Sequence, residues 1–498
     1  MVQSFFHGVQ TRYLDTVPRS VQTIQTAIIL LVGTAPTYKA ATPAVLNRPT
    51  RCINDLDDVA NFGSKTRGFS IPAALDAIRD NGGGTVEVVN VWNPATHTTQ
   101  AQNINYTFPT TGTDANRVQL RQVSGSPGSQ TIVAGTVAEG LTGVTVTASG
   151  GTPTYTLNTD YTLNTQTGQI TRLATGTIAA GATVRATYTY ADPSRVTSTE
   201  IIGAVTNGIR TGLQAGLDVF NLRGYRPKII ICPGFSDLTT VSAEMISLAS
   251  TLEAYALIDA PANATRDEAI AGRAGTAPVS NFNTASRRAV LCYPRVFDTE
   301  NQLQPYSQFL AGVIARTDGE FGYWWSPSNK EIRGITGIEA NLTADFTNPN
   351  TDVNALNAAG ITTIYNNFGT GFLTWGNRSA LFPSDTTPLN FIPLGRTLDI
   401  FHESLQRASL PYVDRPINEA LIDAIEATGN GFIREQVVLG ALLEGSRLYY
   451  DRAKNPATAL AAGRITFSIV LMIPTPAETI IYESTLDINL LSQLGQGR

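Results

Sequence analysis

Residues 463–491 read G-R-I-T-F-S-I-V-L-M-I-P-T-P-A-E-T-I-I-Y-E-S-T-L-D-I-N-L-L. Ile465, Phe467, Ile469, Leu471 and Ile473 alternate with Thr466, Ser468, Val470 and Met472, the period of a strand. Pro474 and Pro476 interrupt the run, and a second strand is predicted over 479–488. Two closing strands form a hairpin that must join a sheet. A hairpin with one open edge invites a strand from a neighbour. The chain therefore reads as an assembly protein, with no active site visible in its sequence.

Composition supports the same direction. The 498 residues exceed one core, and the length suggests about three domains. Charged residues are 15%, against about 25% in ordinary soluble domains, so Thr, Asn, Ser and Gln must cover much of the surface. This suits an extracellular particle or a protein that packs much of its outside against copies of itself, and equally a neutral, Thr-rich globular protein. The net charge is -5 and no basic run occurs, which argues against direct nucleic-acid binding. Cys52, Cys232 and Cys292 are scattered and read as reduced core thiols. No apolar run reaches the length of a membrane span. The opening M-V-Q-S-F-F-H lacks the basic start and apolar run of a leader, so synthesis in a cytoplasm is expected.

Working back through the chain, residues 27–32 form an apolar run ended by Gly33, a buried strand entering an α/β sheet. The polar residues before it are an arm or a frayed terminus. Residues 70–80 read as a helix capped by Ser70, stopped by Asn81-Gly82-Gly83-Gly84 and followed by a strand over 86–92. Residues 101–200 then hold 24 threonines and no lysine, with glycine turns throughout. Val184, Ala186, Tyr188 and Tyr190 alternate with Thr183, Arg185, Thr187 and Thr189, and 165–169 is a turn between two short strands. An inserted all-β domain is predicted over 97–198. Strand–helix alternation resumes at Thr199: helices over 211–221, 242–254, 264–272, 305–317 and 353–359, strands over 228–232, 255–258, 288–293 and 361–365. This predicts a largely parallel α/β core. Residues 334–338 read as loop-like. Helices over 396–407, 417–428 and 434–444, followed by the terminal hairpin, read as an α+β unit.

Constellations for chemistry are missing from the sequence. No Gly-Lys dipeptide exists for a phosphate loop, and Gly369-Thr370-Gly371 lacks the spacing of a dinucleotide fingerprint. Gly82-Gly83-Gly84 runs from helix to strand, the reverse of the order that offers helix N–H groups to phosphate. His7, His97 and His402 are isolated, and no metal-ligand spacing or nucleophile elbow occurs. Asp15 with Asp298, or Glu403 with Glu444, have nothing to set them apart from solvated carboxylates. The expectation is no catalytic residue, no cofactor and no metal. Trp324, Trp325 and Trp375 read as packing or interface anchors, with a sugar-binding platform as the other reading. Arg378 and Arg396 either bridge subunits through carboxylates or stand solvated.

A set of stretches in order carries a resemblance. F-H-G-V-Q-T (6–11), T-A-I-I-L-L-V-G-T-A (26–35), R-T-G-L-Q-A-G-L-D (210–218) and R-P-K-I-I-I-C-P-G-F-S (226–236) belong to it. So do G-I-T-G-I (334–338), A-G-I-T-T-I (359–364), G-F-L-T-W-G-N-R (371–378), G-R-T-L-D-I-F-H-E-S-L (395–405) and A-A-G-R-I-T-F-S-I-V-L-M-I-P-T-P-A-E-T-I (461–480). Together these resemble contractile phage tail sheath proteins, over most of the chain outside 97–198.

The resemblance implies an α/β core with an inserted all-β domain, a C-terminal α+β domain and extended N- and C-terminal arms. The boundaries expected are 1–25 for the N-terminal arm, 26–96 with 199–385 for the core and 97–198 for an outward-facing insert. The inner α+β unit would span 386–488 and the C-terminal arm 489–498. Copies would stack as rings or a helix around a tail tube protein, with baseplate and tail terminator proteins at the ends, in a virion tail assembled in the host cytoplasm. On a trigger the sheath would shorten and drive the tube through the host envelope. Interface candidates are Val21, Thr23 and Ile24 in the N-terminal arm, then Phe467, Ile469, Leu471, Ile480, Tyr482, Leu486 and Ile488. The alternative is a non-contractile virion or surface protein, including a carbohydrate-binding adhesin.

Overall fold

Ile29–Gly33 is an inner strand of an eight-stranded sheet, the largest in a computed structural model that describes residues 21, 23–345, 347–366, 369 and 371–493. Expectations for residues 1–20, including the 6–11 stretch, His7 and Asp15, and for 494–498 lie outside the described residues. The strand order is Thr50–Cys52, Val86–Asn90, Ile29–Gly33, Ile229–Ile231, Tyr255–Asp259, Ala289–Cys292, Ile361–Asn366, Phe372–Trp375. The first and last pair antiparallel and the six between them are parallel.

The strands sort their side chains by parity, as a pleated strand must. Leu30, Val32, Ile230, Ile258 and Leu291 face one apolar cluster. Ile29, Leu31, Ile231, Leu257 and Val290 face another on the opposite side. Helix Thr239–Leu252 covers the first face with Val241, Met245, Leu248 and Leu252. Ser70–Asp80 and Tyr306–Glu320 cover the second with Ile71, Leu75, Ile78, Phe309, Leu310, Val313 and Ile314. Each such side chain contributes about 1.5–3 kcal/mol on burial. The two helices approach closely at Gly312, where a Cβ would sit 2.7 Å from that of Asn81. Ser70 is the first residue of its helix rather than the cap. Its hydroxyl accepts from the Thr34 N–H at 3.1 Å, and its own N–H donates to the Thr34 hydroxyl at 3.1 Å.

Between Asn90 and Ile229 the chain forms sheets of its own. Thr98–Thr107, Thr183–Ala191, Thr142–Ala148 and Thr154–Tyr155 make one, and Tyr161–Asn164, Gln169–Arg172 and Arg117–Gln119 another. The turn read at 165–169 joins Tyr161–Asn164 to Gln169–Arg172. Ile104, Tyr106, Val146, Ile170, Val184, Ala186, Tyr188 and Tyr190 form a core here, separate from those on the large sheet. Its buried hydroxyls are matched: Tyr106 and Tyr188 meet at 2.7 Å, and Tyr188 donates to the Arg121 carbonyl at 2.5 Å.

Several predicted elements differ. Ile335–Ile338 is a strand paired with Val296–Asp298, not a loop. Residues 211–221 are a 3-10 turn, Gly212–Leu217, leading into helix Asp218–Arg223. The predicted helices over 417–428 and 434–444 are one helix, Glu419–Val438, that ends before the second prediction does. Gly429 and Asn430 do not break it because both serve a neighbour. A Cβ on Gly429 would lie 2.8 Å from Leu448 Cδ1, and the Asn430 amide bonds both backbone groups of Leu448. The 479–488 segment pairs with no strand. Phe467–Val470 instead pairs antiparallel with Arg447–Tyr450. Strand Thr50–Cys52, helix Asp55–Phe62 and strand Phe372–Trp375 had no counterpart in the sequence reading.

Candidate inter-subunit joint

Helix Ile392–Ser409 joins the C-terminal residues to the large sheet. Its apolar positions Leu394, Phe401 and Leu405 turn to Phe432, Ile433, Leu442, Leu448 and Ile473. Arg396, Asp399 and Glu403, at i, i+3 and i+7, share another face. Arg396 pairs with Asp318 at 2.6 Å, Asp399 with Arg288 at 3.1 Å and Arg287 at 3.3 Å, and Glu403 with Lys228. Lys228 and Arg288 precede the strands Ile229–Ile231 and Ala289–Cys292, so this face sits at the N-terminal ends of the parallel strands. Burial pulls the Arg396 pKa down, but the charge and hydrogen bonds of Asp318 together with nearby Tyr255 and Asp399 outweigh it, and the net direction is up.

The segment before Ile29 crosses the same helix. Val21 is buried in the C-terminal apolar cluster, and Ile24 packs with Tyr323 and Ile400. The Ile24 N–H donates to the Ser404 hydroxyl at 3.2 Å, and the Thr26 carbonyl accepts from Arg396 at 3.2 Å. Val21 and Ile24 are therefore occupied by their own chain, while Thr23 between them is exposed.

The strands Arg447–Tyr450 and Phe467–Val470 form a two-stranded sheet over helix Glu419–Val438. Phe467, Ile469 and Leu471 are half-buried against that helix and Ile392–Ser409. Among the described residues each strand has one edge with no strand beside it. Beyond Ile473 the chain runs along the surface. Ile480, Tyr482, Leu486 and Ile488 are exposed, Tyr482 at 88% and Leu486 fully. Residues 479–487 are neither helix nor strand, and 3-10 turn Ile488–Gln493 follows. The sequence predicts a strand over 479–488, but these residues form none, and among the described residues no strand lies beside them.

Other residues singled out by sequence have partners within the chain. Trp375 packs against Tyr365 at a tilt of 37° with ring centroids 4.9 Å apart, and Trp324 meets Tyr323 edge-on at 5.1 Å. Trp325 stays half-exposed beside Phe321, with the Lys330 ammonium over both rings. Arg396 is buried on Asp318, and Arg378 holds Glu478. Asp298 pairs with Lys65 and Glu403 with Lys228, so neither belongs to a carboxylate pair. His97 sits at 2.6 Å from Glu200. Among the described residues no three of His, Cys, Asp or Glu gather as a metal site, and no helix is long and apolar enough to cross a membrane. The charged face of Ile392–Ser409 went unread in the sequence, although its spacing of three and four residues was a signal for it.

Comparison with known proteins adds the family. A model of the phage tail sheath protein central domain matches residues 208–380. The chain is 42% identical over 504 residues to the tail sheath protein of Burkholderia phage BcepMu, covering 100% of both chains. It is 28% identical over 304 residues to the tail sheath protein of Escherichia phage P2, covering 60% of this chain and 73% of that one. Its fold is similar to the contracted helical sheath of the anti-feeding prophage, with a TM-score of 0.58 at 17% identity over 98% of this chain and 100% of that chain. A contracted sheath of an extracellular contractile injection system matches with a TM-score of 0.58 at 14% identity over 98% of this chain and 100% of that one. The chain belongs to the phage tail sheath family.

Proposed function

We propose that this chain is the repeating subunit of a contractile tail sheath, joined to its neighbours through its C-terminal tail and the sheet Arg447–Tyr450 with Phe467–Val470. The observation that carries the reading is the pairing of opposites on one subunit: an apolar tail without a strand partner and a two-stranded sheet with free edges. Ordering 479–488 costs about 1–2 kcal/mol per residue in backbone entropy. Burying Ile480, Tyr482, Leu486 and Ile488 returns about 1.5–3 kcal/mol each. The two sums are of the same order, so docking needs backbone hydrogen bonds as well, which strand addition to an open edge supplies.

In this reading residues 26–96 with 199–385 are the core, 97–198 an outward insert and 386–488 an inner unit. The N-terminal arm expected over 1–25 is anchored at its described end, where Val21 and Ile24 pack in their own chain and Thr23 faces outward. Copies stack as rings or a helix in a virion tail put together in the host cytoplasm. A tail tube lies inside, and baseplate and terminator proteins bind the ends. Contraction moves each subunit relative to the next while the added strands hold, because a hydrogen-bonded sheet on a flexible tail tolerates rotation. The role is structural and needs no nucleotide: a metastable extended lattice relaxes through many interface gains of about 1 kcal/mol each.

The test is co-expression with the tube protein and negative-stain microscopy. Full-length chain is expected to give striated cylinders. A chain lacking 479–498 is expected to fold with unchanged circular dichroism and give none. Normal cylinders from that truncation would sink the joint.

A further inference from the structure

Within residues 474–488, Glu478 is the last with a side-chain hydrogen bond to the body of the subunit. Its Oε1 accepts from Arg378 Nε at 2.8 Å, and its other oxygen accepts from Nη2. The guanidinium is positioned independently of Glu478. It lies 4.3 Å from the Phe382 ring and 4.4 Å from the Phe391 ring, and Nη1 donates to Asn390 Oδ1 at 3.0 Å. Asn390 is fully buried, and its backbone carbonyl accepts from both Ser379 N at 2.8 Å and Ser379 Oγ at 3.0 Å. Exposed ion pairs usually contribute little because two flexible chains must be ordered. Here one partner is already immobilised and offers a planar fork to a carboxylate. The strap from Pro474 to Thr479 is otherwise loosely held, with cavities of about 380 and 510 Å³ against it.

We propose that Arg378 and Glu478 form a clamp that fixes where the C-terminal arm leaves its own subunit, so that the exchanged arm begins at Thr479. The inference rests on the reading of the tail as an inter-subunit arm. A fixed root sets the reach of the arm. Freed from the clamp, the root retreats to buried Ile473, and the five residues 474–478 add slack of about 17 Å at the extended spacing. Slack of that size lets neighbouring subunits sit at variable distances, and the lattice loses its regular pitch.

The experiment uses full-length Glu478→Gln and Arg378→Lys. Both leave the apolar clusters intact, and lysine keeps the charge while losing the fork. Limited proteolysis of the free subunit with mass spectrometry is expected to cut the parent chain only beyond Glu478. Either variant is expected to be cut within 474–478 as well, about tenfold faster there, the effect of losing a charge-assisted two-point contact. Variant sheaths grown on the tube should vary in pitch along their length. An unchanged cleavage boundary with regular sheaths overturns the clamp, as does full rescue by lysine. If the chain lacking 479–498 also assembles normally, the arm falls with it; if that truncation fails and Glu478→Gln is normal, the clamp alone falls.

Discussion

Arg396 and Asp318 meet through two parallel hydrogen bonds, Nη1 to Oδ1 at 2.8 Å and Nη2 to Oδ2 at 2.6 Å, with side chains 3% and 2% exposed. The pair ties helix Ile392–Ser409 to helix Tyr306–Glu320. Removing one partner leaves the other charged in the interior. Asp318→Ala is expected to destabilise the subunit by about 3–5 kcal/mol in chemical denaturation. The double variant Arg396→Met with Asp318→Leu should recover most of that loss, because it removes both charges. Equal losses in the single and double variants would contradict this.

Gly395 sits one residue earlier and meets the Tyr255 hydroxyl, which would lie 1.9 Å from a Cβ. That hydroxyl is buried without a hydrogen-bond partner among the described residues. Alanine gains about 1 kcal/mol of helix propensity over glycine. The clash is expected to outweigh it, giving a net loss of about 1–3 kcal/mol for Gly395→Ala. Tyr255→Phe alone should change stability little, and adding it to Gly395→Ala should restore most of the loss. A double-mutant cycle by denaturant titration reads the coupling.

Cys52, Cys232 and Cys292 are buried and unpaired. Burial pushes all three thiols up, aided by the charge of Asp58 at Cys52 and of Asp259 at Cys232 and Cys292. None should react with a thiol-specific chromogenic reagent in the folded chain at mildly alkaline pH, whereas all three react in denaturant. A rapid signal before unfolding would refute the placement.

Asp298 carries a pH dependence. Burial raises its pKa, but the Gln302 N–H and the Lys65 ammonium outweigh this, and the carboxyl is held below its ordinary 3.8. A depressed carboxylate stabilises the fold above the unfolded-state value and loses that contribution as pH falls through the folded one. The parent chain should therefore lose stability from just above pH 3.8 downward, and Asp298→Asn should lack that component. At neutral pH the variant is expected to be about 1–3 kcal/mol less stable, since it gives up charge-assisted bonds. Parallel acid-denaturation curves for the two would argue against the assignment.

Periodicity served well where one rule decides. Ala27–Val32 and Ile229–Ile231 are apolar at every position because both faces of a parallel strand are covered. The alternation at Val184, Ala186, Tyr188 and Tyr190 marks a sheet with one buried face. It served less well where tertiary contact overrides local preference. Gly429 looks like a helix break, yet Glu419–Val438 runs through it because Leu448 occupies the space a side chain would take. Gly334–Ile338 looks like a loop, yet Ile335–Ile338 pairs across with Val296–Asp298.

The sequence by itself determined which stretches alternate, which run apolar, and that 463–491 is rich in strand-forming residues with few charges. Those properties follow from the residues and their spacing alone. Only the tertiary structure decided what each stretch pairs with. It set Phe467–Val470 beside Arg447–Tyr450, buried Val21 and Ile24 on their own helix, and left Ile480, Tyr482, Leu486 and Ile488 without cover. A strand's period is a local property, but its partner depends on which edges the rest of the chain leaves open. Among the described residues, this chain leaves both an open sheet edge and an exposed apolar stretch over 480–488.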